Sequence, residues 1–383
     1  MPNDIAKNVQ LLNTSQRPAY LLQMIQEWLN LVLGLVVMAV AVVLVVLSLQ
    51  FHAQSAFAGA SLYSLITLGE NLAGIVLYYT RLETSIGAIA RLRTFNESVK
   101  PEDRDEHEDV FPSEQWPRTG AVEIKGVSAA YDADEENPSL ALRNINLKVE
   151  SGEKVAICGR TGSGKSSLVA LLLKLLDPLP SNTQQVLIDD TPLSRIHRPS
   201  LRQRLIAVPQ EAVFLPDGTT FQSNLDPYDA STPEDCKAVL VAIGLWTFVE
   251  ERGGLSAGMT AGTFSAGQRQ LFSVGRALLR RCIRASSLDG ATDQGILLLD
   301  EVSSNVDRQT EIVMQEIIKR EFTDYTVIAV SHRLDMIMDF DRVIVMDKGE
   351  IVEIGRPIEL SSQRGSKFGD LVRAGNKRRG EQA

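Results

Sequence analysis

The sequence GRTGSGKS at residues 159–166 decides the fold of this chain. Its spacing of glycines before a lysine and a serine is the one that a backbone needs in order to wrap a polyphosphate. The three glycines have no Cβ, so the loop can turn sharply and direct successive N–H groups at phosphate oxygens. Residues 154–158 before it are typical of a buried parallel strand, and the apolar residues 167–176 after it predict a helix whose N-terminus faces the phosphate.

Two side chains of this loop carry groups suited to a phosphate and its metal ion. Lys165 is expected to reach the β- and γ-phosphates as a point charge, and the Ser166 hydroxyl is expected to take one position on Mg²⁺. The alternative, a glycine-rich turn without a ligand, is disfavoured by the strand and helix on either side. The residues predicted to bind phosphate or the rest of the ligand are Gly159, Arg160, Thr161, Gly162, Ser163, Gly164, Lys165, Ser166 and Ser167.

Composition excludes several classes of protein. The 383 residues leave room for two or three domains, and the formal charge of −9 argues against nucleic acid as the main partner. The three cysteines, Cys158, Cys236 and Cys282, have no spacing that indicates a disulfide framework or a zinc site. A reduced, cytosolic location is therefore expected for the soluble part.

Two apolar segments near the N-terminus predict transmembrane helices. Residues 29–49 are almost wholly aliphatic and long enough to cross a bilayer. The second segment, residues 56–79, contains Glu70 and Asn71, which must face protein or water if the segment spans. Glu70 either lines a transport pathway or makes a structural hydrogen bond between helices. Lysine and arginine flank the pair on its outer sides, so both outer flanks are expected to be cytosolic.

Strand and helix patterns alternate from Trp116 to the C-terminus, which favours a mostly parallel α/β core. Residues 224–280 have few strand signals and are predicted to be a helical insertion. Residues 281–294 lack strong periodicity and are predicted to be a surface loop without a role. The predicted strands are residues 122–124, 145–149, 186–189, 205–208, 296–299, 327–330 and 343–346.

Two carboxylates follow the apolar run at residues 296–299. Asp300 is expected to hold Mg²⁺ through its water shell, and Glu301 is placed to orient or deprotonate an attacking water. Taken alone, the run is equally consistent with an ordinary junction between a strand and a loop.

Further positions carry groups suited to a nucleotide. The sequence FSAGQ places Ser265 and Gly267 at the opening of a helix whose N-terminal amides attract a γ-phosphate, although a capped helix without a ligand has the same pattern. His332 follows a strand and is placed to contact the γ-phosphate or the water, and Gln210 is placed to reach Mg²⁺ or the water. Tyr131 offers a ring on which adenine can stack. A lone histidine or tyrosine more commonly has a structural role.

Together these ordered motifs resemble those of ATP-binding cassette (ABC) transporters of subfamily C, the multidrug-resistance-associated protein type. The resemblance covers nearly the whole chain, as the last two transmembrane helices and the second nucleotide-binding domain. It implies an α/β P-loop NTPase fold, an ABC cassette with a helical subdomain at about residues 224–280, preceded by two transmembrane α-helices. It also implies ATP and Mg²⁺ as cofactors.

At single positions the resemblance implies that Tyr131 is the adenine platform, residues 159–166 the Walker A loop and residues 304–307 the D-loop. It implies a signature made by Ser265, Gly267 and Gln268, and a Walker B pair made by Asp300 and Glu301. The implied metal-binding residues are Ser166, Gln210 and Asp300, where Gln210 is the Q-loop residue. The implied catalytic residues are Glu301, Gln210 and His332, where His332 is the switch histidine.

In this family two nucleotide-binding domains associate head to tail, so the signature of this chain would serve an ATP held by a partner domain. Phe264 stands where the family usually has leucine, and Ala266 where many members have glycine. The resemblance therefore implies that efficient hydrolysis uses the Walker A and Walker B residues of this chain.

The resemblance divides the chain into four segments. Residues 1–27 are expected to be a cytosolic helical segment, residues 28–93 the two transmembrane helices with a cytosolic extension, residues 94–116 a solvated acidic linker, and residues 117–383 the nucleotide-binding domain. A transporter of this family has more membrane helices and a second cassette, so the chain is expected to be a truncated C-terminal part.

The predicted function is that of an ATP-hydrolysing module of an export transporter in the plasma or vacuolar membrane, with its nucleotide-binding domain in the cytosol. Its expected partners are the second nucleotide-binding domain, the remaining transmembrane helices and the lipid bilayer, and the sequence does not name the transported substrate. The alternative is a non-transporting regulatory or vestigial subunit that binds ATP and membrane. A soluble ABC ATPase acting on DNA or ribosomes is disfavoured by the apolar span and the acidic charge.

Overall fold

The fold was analysed in a computed structural model, which describes residues 2–50, 55–99, 102, 108–131, 138–179, 185–287, 293–302, 306–333 and 337–380. The chain divides into two compact units, residues 1–102 and residues 103–383. Each unit has its own architecture.

The first unit is a pair of long helices, α1 (Pro2–Gln50) and α2 (Ser55–Ser98). Both are long and apolar enough to cross a membrane, with segments of mean hydropathy 3.2 in α1 and 1.4 in α2. These apolar segments are not buried within the unit, as they would be in the core of a soluble protein. The helices touch where a Cβ on Gly69 would lie 3.4 Å from a methyl carbon of Val37.

The second unit contains two sheets. The larger sheet has the strand order β10-β9-β3-β8-β7-β6 and is parallel except for the pairing of β10 with β9. The smaller sheet has the order β2-β1-β4-β5, and each of its pairings is antiparallel. The strands are β1 Val122–Ala130, β2 Leu140–Val149, β3 Lys154–Gly159, β4 Val186–Ile188, β5 Thr191–Pro192, β6 Ile206–Val208, β7 Ile296–Asp300, β8 Thr326–Val330, β9 Arg342–Asp347 and β10 Glu350–Gly355.

The mostly parallel sheet predicted from the sequence is therefore confirmed for β3 and β6 to β9, and it was wrong for the strands predicted at residues 122–124, 145–149 and 186–189. Those strands form the separate antiparallel sheet, in which Val122 pairs with Val149. Only residues 131–139 connect β1 with β2, too few for the crossover of a dozen or more residues that parallel pairing requires.

Helices of the second unit pack against the larger sheet, where the helix after β3 contacts β3 and β7 and the helix that begins at Ala266 contacts β6. The segment predicted as a helical insertion contains α6 and α7 and most of α8, and α5 lies at its start. The prediction of a surface loop over residues 281–294 was wrong for residues 281–286, which extend α8. The helices are α3 Lys165–Leu172, α4 Arg198–Arg204, α5 Phe221–Leu225, α6 Pro233–Ala242, α7 Trp246–Glu250, α8 Ala266–Ser286, α9 Arg308–Glu321, α10 Pro357–Ser362 and α11 Lys367–Gly380.

Phe264 lies at the centre of an aromatic cluster beside α8. It is 3% exposed, and its ring centroid lies 4.7 Å from that of Phe248 and 5.7 Å from those of Phe214 and Phe272. The Phe264 side chain therefore fills the core of the helical segment.

One carboxylate of the acidic linker is buried, which the sequence did not predict. Glu108 is 5% exposed, and its carboxylate accepts a hydrogen bond of 2.6 Å from the Arg198 guanidinium and pairs with the Lys174 ammonium at 2.8 Å. Arg198 also pairs with Asp177 at 2.8 Å. The neighbouring pair of Asp109 with Arg195 is exposed. A buried ion-pair cluster thus fastens the linker to the region after α3.

We expect Glu108→Ala to destabilise the second unit by about 3–5 kcal/mol, because it leaves the buried Lys174 ammonium without its paired carboxylate and Arg198 with Asp177 alone. The measurement is chemical unfolding of the detergent-solubilised chain, followed by the fluorescence of Trp116 and Trp246. The control is Asp109→Ala, which removes an exposed ion pair and should cost less. Equal effects of the two substitutions would contradict the importance assigned to the buried cluster.

The same cluster predicts a pH dependence. Burial raises the pKa of Glu108, but the hydrogen bonds and charges of Lys174 and Arg198 outweigh burial and hold that pKa below its ordinary value of 4.5. Because the folded-state pKa is the lower one, the stabilisation is complete above pH 4.5 and is lost as the pH falls through the folded-state pKa. Unfolding measured against pH should show this acid loss in the unchanged chain and a smaller one in Glu108→Ala.

Candidate nucleotide-binding site

The loop after β3 passes close to neighbouring backbone, and two glycines make this approach possible. Gly159 has φ +150°, and a Cβ at this position would collide with the Met346 carbonyl oxygen of β9. Gly164 has φ +98°, and its Cβ would lie 2.8 Å from the Ala141 carbonyl oxygen. The loop therefore forms a backbone cradle at the N-terminus of α3, the arrangement in which N–H groups bind phosphate.

Lys165 lies over this cradle as the first residue of α3. It is 4% exposed, and its Nζ donates to the carbonyl oxygens of Gly159 at 3.2 Å and Arg160 at 3.1 Å. Burial lowers the pKa of Lys165, and the nearby charges of Glu301 and Asp300 act in the opposite direction. A buried ammonium group beside a cradle of N–H groups fits an anionic ligand such as a phosphate chain.

Ser166 and Asp300 supply oxygen atoms beside the cradle. The Ser166 Oγ donates to Asp300 Oδ1 at 3.1 Å, which joins the start of α3 to the end of β7. Burial raises the pKa of Asp300, and the hydrogen bond from Ser166 opposes that shift. The described residues contain no cluster of three or more His, Cys, Asp or Glu side chains suited to a metal. The chemistry fits Mg²⁺, which is held by few protein oxygens together with phosphate and water.

Three predicted residues meet at the carboxyl ends of adjacent strands. Glu301 follows β7, and its Oε1 lies 2.6 Å from His332 Nε2, two residues after β8. Its Oε2 accepts a hydrogen bond of 3.3 Å from Gln210 Nε2, two residues after β6. The Glu301 Oε1 also lies 4.0 Å from Lys165 Nζ. The order β8-β7-β6 in the sheet brings these side chains together.

The backbone of Glu301 has φ +48°, a left-handed conformation that is unusual for a residue with a side chain. Its N–H donates to the Val330 carbonyl oxygen at 3.0 Å, which fixes the turn at the end of β7. Backbone strain of this kind is concentrated at functional sites in proteins. The turn directs the Glu301 carboxylate to the position between Gln210 and His332.

Tyr131 lies beside the start of α3. Its hydroxyl is 3.2 Å from the Ser167 Oγ on α3, and the residue is 63% exposed. The ring is therefore held next to the phosphate cradle while it remains free to stack with a planar group.

The predicted signature residues lie at a different place. Ser265 caps α8, since its Oγ accepts from the Gln268 N–H at 3.1 Å and the Gln268 Oε1 accepts from the Ser265 N–H at 2.9 Å. A Cβ on Gly267 would lie 3.2 Å from side-chain atoms of Asp307 and Thr310 at the start of α9. In the described part of the chain, no hydrogen bond joins these signature residues to residues 159–166. Residues 304 and 305 of the predicted D-loop lie outside the described residues.

Gln270 also helps to position the site residues, and nothing in the sequence indicates this role. Its Nε2 donates to the carbonyl oxygen of Gln210, so α8 fixes the backbone of the residue that contacts Glu301. A glutamine two positions after Gln268 has no distinguishing sequence pattern, and its role depends on the packing of α8 against β6.

Residues 142–304 match a family model described as ABC transporter. These residues belong to the ABC transporter family. The ABC domain includes β3, the cradle and the turn at Glu301, which confirms the α/β P-loop fold predicted from the sequence.

Relatives match the ABC domain and the two helices before it. The chain is 56% identical to the ABC-type transporter braE of Annulohypoxylon truncatum, over 97% of this chain and 27% of that protein. It is 38% identical to ABC multidrug transporter B of Aspergillus fumigatus, over 95% of this chain and 24% of that protein. The chain thus spans about a quarter of the length of these relatives.

The fold is also found among solved structures. A bacterial Atm1-family ABC exporter with ATP bound matches with a TM-score of 0.71 and 22% identity, over 98% of this chain and 63% of that one. At this identity the likeness concerns the fold alone.

Alanine substitutions of Gly159 and Gly162 should separate the cost of a steric collision from the cost of backbone strain. Gly159→Ala adds a collision with the Met346 carbonyl to the strain of positive φ, and overpacking alone costs about 1–3 kcal/mol. Gly162, with φ +80°, has no atom within 4 Å of its Cβ position, so Gly162→Ala should cost only the strain of about 1–2 kcal/mol. Thermal unfolding of the two variants should therefore rank Gly159→Ala as the less stable. The reverse order would contradict the close approach of the loop to β9.

Proposed function

We propose that this chain is the ATP-binding and ATP-hydrolysing module of an ABC-type export transporter of subfamily C. The observation that carries this proposal is the position of the Glu301 carboxylate, which contacts Gln210 and His332 and lies 4.0 Å from the Lys165 ammonium above the phosphate cradle. A carboxylate held beside a phosphate site by two polar side chains is suited to activate a water molecule.

In this proposal, ATP places its phosphates in the cradle of residues 159–166 and its adenine against Tyr131. Lys165 contacts the β- and γ-phosphates, and Ser166, Asp300 and Gln210 are the residues that would hold Mg²⁺. When bound, Mg²⁺ would neutralise the charge that develops on the phosphate oxygens.

Glu301 is proposed to accept a proton from the attacking water as the water oxygen bonds to the γ-phosphorus and the bond to ADP breaks. Gln210 donates to one carboxylate oxygen, and His332 Nε2 contacts the other, so the side chain has little freedom to turn. His332 is 42% exposed on its side chain, and it is also proposed to contact the γ-phosphate. Positioned acid–base catalysis of this kind contributes roughly 100- to 10,000-fold to a rate.

A second nucleotide-binding domain is proposed to complete the site. Ser265, Gly267 and Gln268 form the N-terminus of a 21-residue helix, and this end has no hydrogen bond to the cradle of its own chain in the described part. Its amides and positive dipole end suit a γ-phosphate that belongs to a partner domain. ATP would thus hold two domains together, and hydrolysis through Glu301 would release them.

The two helices α1 and α2 are proposed to anchor the module in the plasma or vacuolar membrane, with the second unit in the cytosol. The bilayer and further transmembrane helices are proposed partners, and the acidic charge disfavours nucleic acid. Re-orientation of the membrane helices as the nucleotide-binding domains close and reopen would move the substrate.

Glu301→Gln should lower ATP hydrolysis by roughly 100- to 10,000-fold, because the amide cannot accept the proton of the water. ATP binding should be retained, since the amide keeps the size of the side chain. The assay is phosphate release by the protein in its native membranes, with the unchanged chain alongside. Undiminished turnover in Glu301→Gln would remove this residue from the proposed mechanism.

Lys165→Ala should weaken ATP binding by about 10- to 100-fold, since hydrogen bonds to a charged group contribute about 1.5–3 kcal/mol. Equilibrium binding of a fluorescent ATP analogue is the measurement, and Glu301→Gln is the matched control that should bind normally. Retention of full affinity in Lys165→Ala would contradict the assignment of the phosphate cradle.

A further inference from the structure

The loop after β8, which carries His332, is fixed at the residue before the histidine. Ser331 is 6% exposed, and its N–H donates to the Ile157 carbonyl oxygen of β3 at 3.1 Å. The Ser331 Oγ accepts a hydrogen bond of 3.0 Å from the Arg333 N–H. Ser331 therefore joins the loop to the end of β3 and restrains the backbone on both sides of His332.

The residue after the histidine joins the same loop to α9. The Arg333 guanidinium donates through Nη1 to the Glu311 carboxylate and through Nη2 to the Val306 carbonyl oxygen, the latter at 2.8 Å. Glu311 lies in the first turn of α9 and is 7% exposed. A carboxylate at this depth requires a cationic partner, and the planar fork of an arginine can hold two acceptors at once.

The first turn of α9 is itself well fixed. Asp307 caps the helix, since its carboxylate accepts a hydrogen bond of 3.0 Å from the Thr310 N–H. The same turn lies against α8, where a Cβ on Gly267 would come within 3.2 Å of side-chain atoms of Asp307 and Thr310. The Arg333 guanidinium therefore ties the His332 loop to a packed part of the protein.

The position of the His332 ring depends on these anchors. Its Nε2 lies 2.6 Å from Glu301 Oε1, while the His332 side chain is 42% exposed. Packing restrains a side chain exposed to this extent only in part, so the direction of the ring depends on the backbone that carries it and on the hydrogen bonds that hold this backbone. Loss of the Arg333 anchor would free one side of the loop and let the ring leave Glu301.

We propose that Arg333 is a positioning residue for ATP hydrolysis, because it fixes the His332 loop to α9 and so holds the histidine ring against the Glu301 carboxylate. This inference rests on the proposed function, in which His332 contacts Glu301 and the γ-phosphate. Among the described residues, Arg333 makes no hydrogen bond to Lys165 or Glu301, so it acts through the histidine and not on the reacting atoms.

Arg281 provides a matched control at the other end of α9. The side chains of Arg281 and Arg333 are 26% and 31% exposed. Arg281 pairs with Asp293 at 2.9 Å and with Glu321, the last residue of α9, at 2.8 Å. Glu321 is ten residues from Glu311, about 15 Å along the helix. Arg281→Ala thus removes a comparable ion pair from α9 without touching the His332 loop.

The first test measures the anchoring of the loop without ATP. Hydrogen exchange of the detergent-solubilised chain, followed by mass spectrometry, should show the amides at positions 331 and 333 exchanging at least about tenfold faster in Arg333→Ala, because the loop opens more easily when a charged hydrogen bond is lost. Arg281→Ala should leave these amides as protected as in the unchanged chain. Unaltered exchange in Arg333→Ala, or an equal increase in Arg281→Ala, would overturn the proposal.

The second test measures phosphate release in native membranes. Arg333→Ala should lower kcat by about 10- to 100-fold, since a displacement of about 1 Å in a catalytic group can cost 100-fold, and should leave KM for ATP within about threefold. Arg333→Lys keeps a cation beside Glu311 but lacks the fork, so its kcat should lie between those of Arg333→Ala and the unchanged chain. This variant carries the test if Arg333→Ala does not fold. An unaltered kcat in the Arg333 variants, or an equal loss in Arg281→Ala, would overturn the proposal.

A double substitution tests whether Arg333 acts through His332. The combined variant His332→Ala with Arg333→Ala should hydrolyse ATP as His332→Ala does, within about twofold, because the anchor has no ring left to position. A further loss as large as that of Arg333→Ala alone would overturn the proposal.

These measurements also separate the inference from the function on which it rests. Absence of ATP hydrolysis in the unchanged chain would contradict the proposed function. Normal hydrolysis in the unchanged chain, with the same kcat in Arg333→Ala, would contradict the role of Arg333 alone.

Discussion

The close approach of the residue 159 backbone to the Met346 carbonyl oxygen is the constraint on which the site depends. β3 and β9 pair in parallel, with Gly159 opposite Met346, so the chain must leave β3 directly against the backbone of its neighbour. Only a residue without a Cβ fits there. The turn that follows presents the N-terminus of α3, and Lys165 and Ser166 lie at that end because the loop has this length.

The order of strands supplies the other half of the site. Because β6, β7 and β8 are adjacent and parallel, the residues that follow them meet at one edge of the sheet. This places Gln210 and His332 on either side of Glu301, and the left-handed turn at Glu301 directs its carboxylate between them. The cradle is suited to bind the charged phosphates, and the residues after the strands supply acid–base groups. Phosphate binding and proton transfer would therefore take place at the same edge of the sheet.

Local patterns in the sequence were sufficient to predict the α/β P-loop fold, because glycine spacing and apolar runs act over a few residues. The remaining features depend on contacts between residues far apart in the sequence, which local patterns do not predict. The helix predicted to reach residue 176 ends at Leu172, and Lys174 has φ +51° and contacts the buried Glu108. An acidic linker gave no sign that one of its carboxylates would be buried, since its partners lie 66 and 90 residues away. The roles of the site residues stay predictions, although the structure brings Gln210, Glu301 and His332 together.

The central claim is that the cradle binds a magnesium nucleotide. Titration of the purified chain with ATP, by calorimetry in the presence of Mg²⁺ and again with excess chelator, tests it most directly. The account predicts saturable binding at one site per chain that is weakened when Mg²⁺ is removed. No saturable binding under either condition would contradict it.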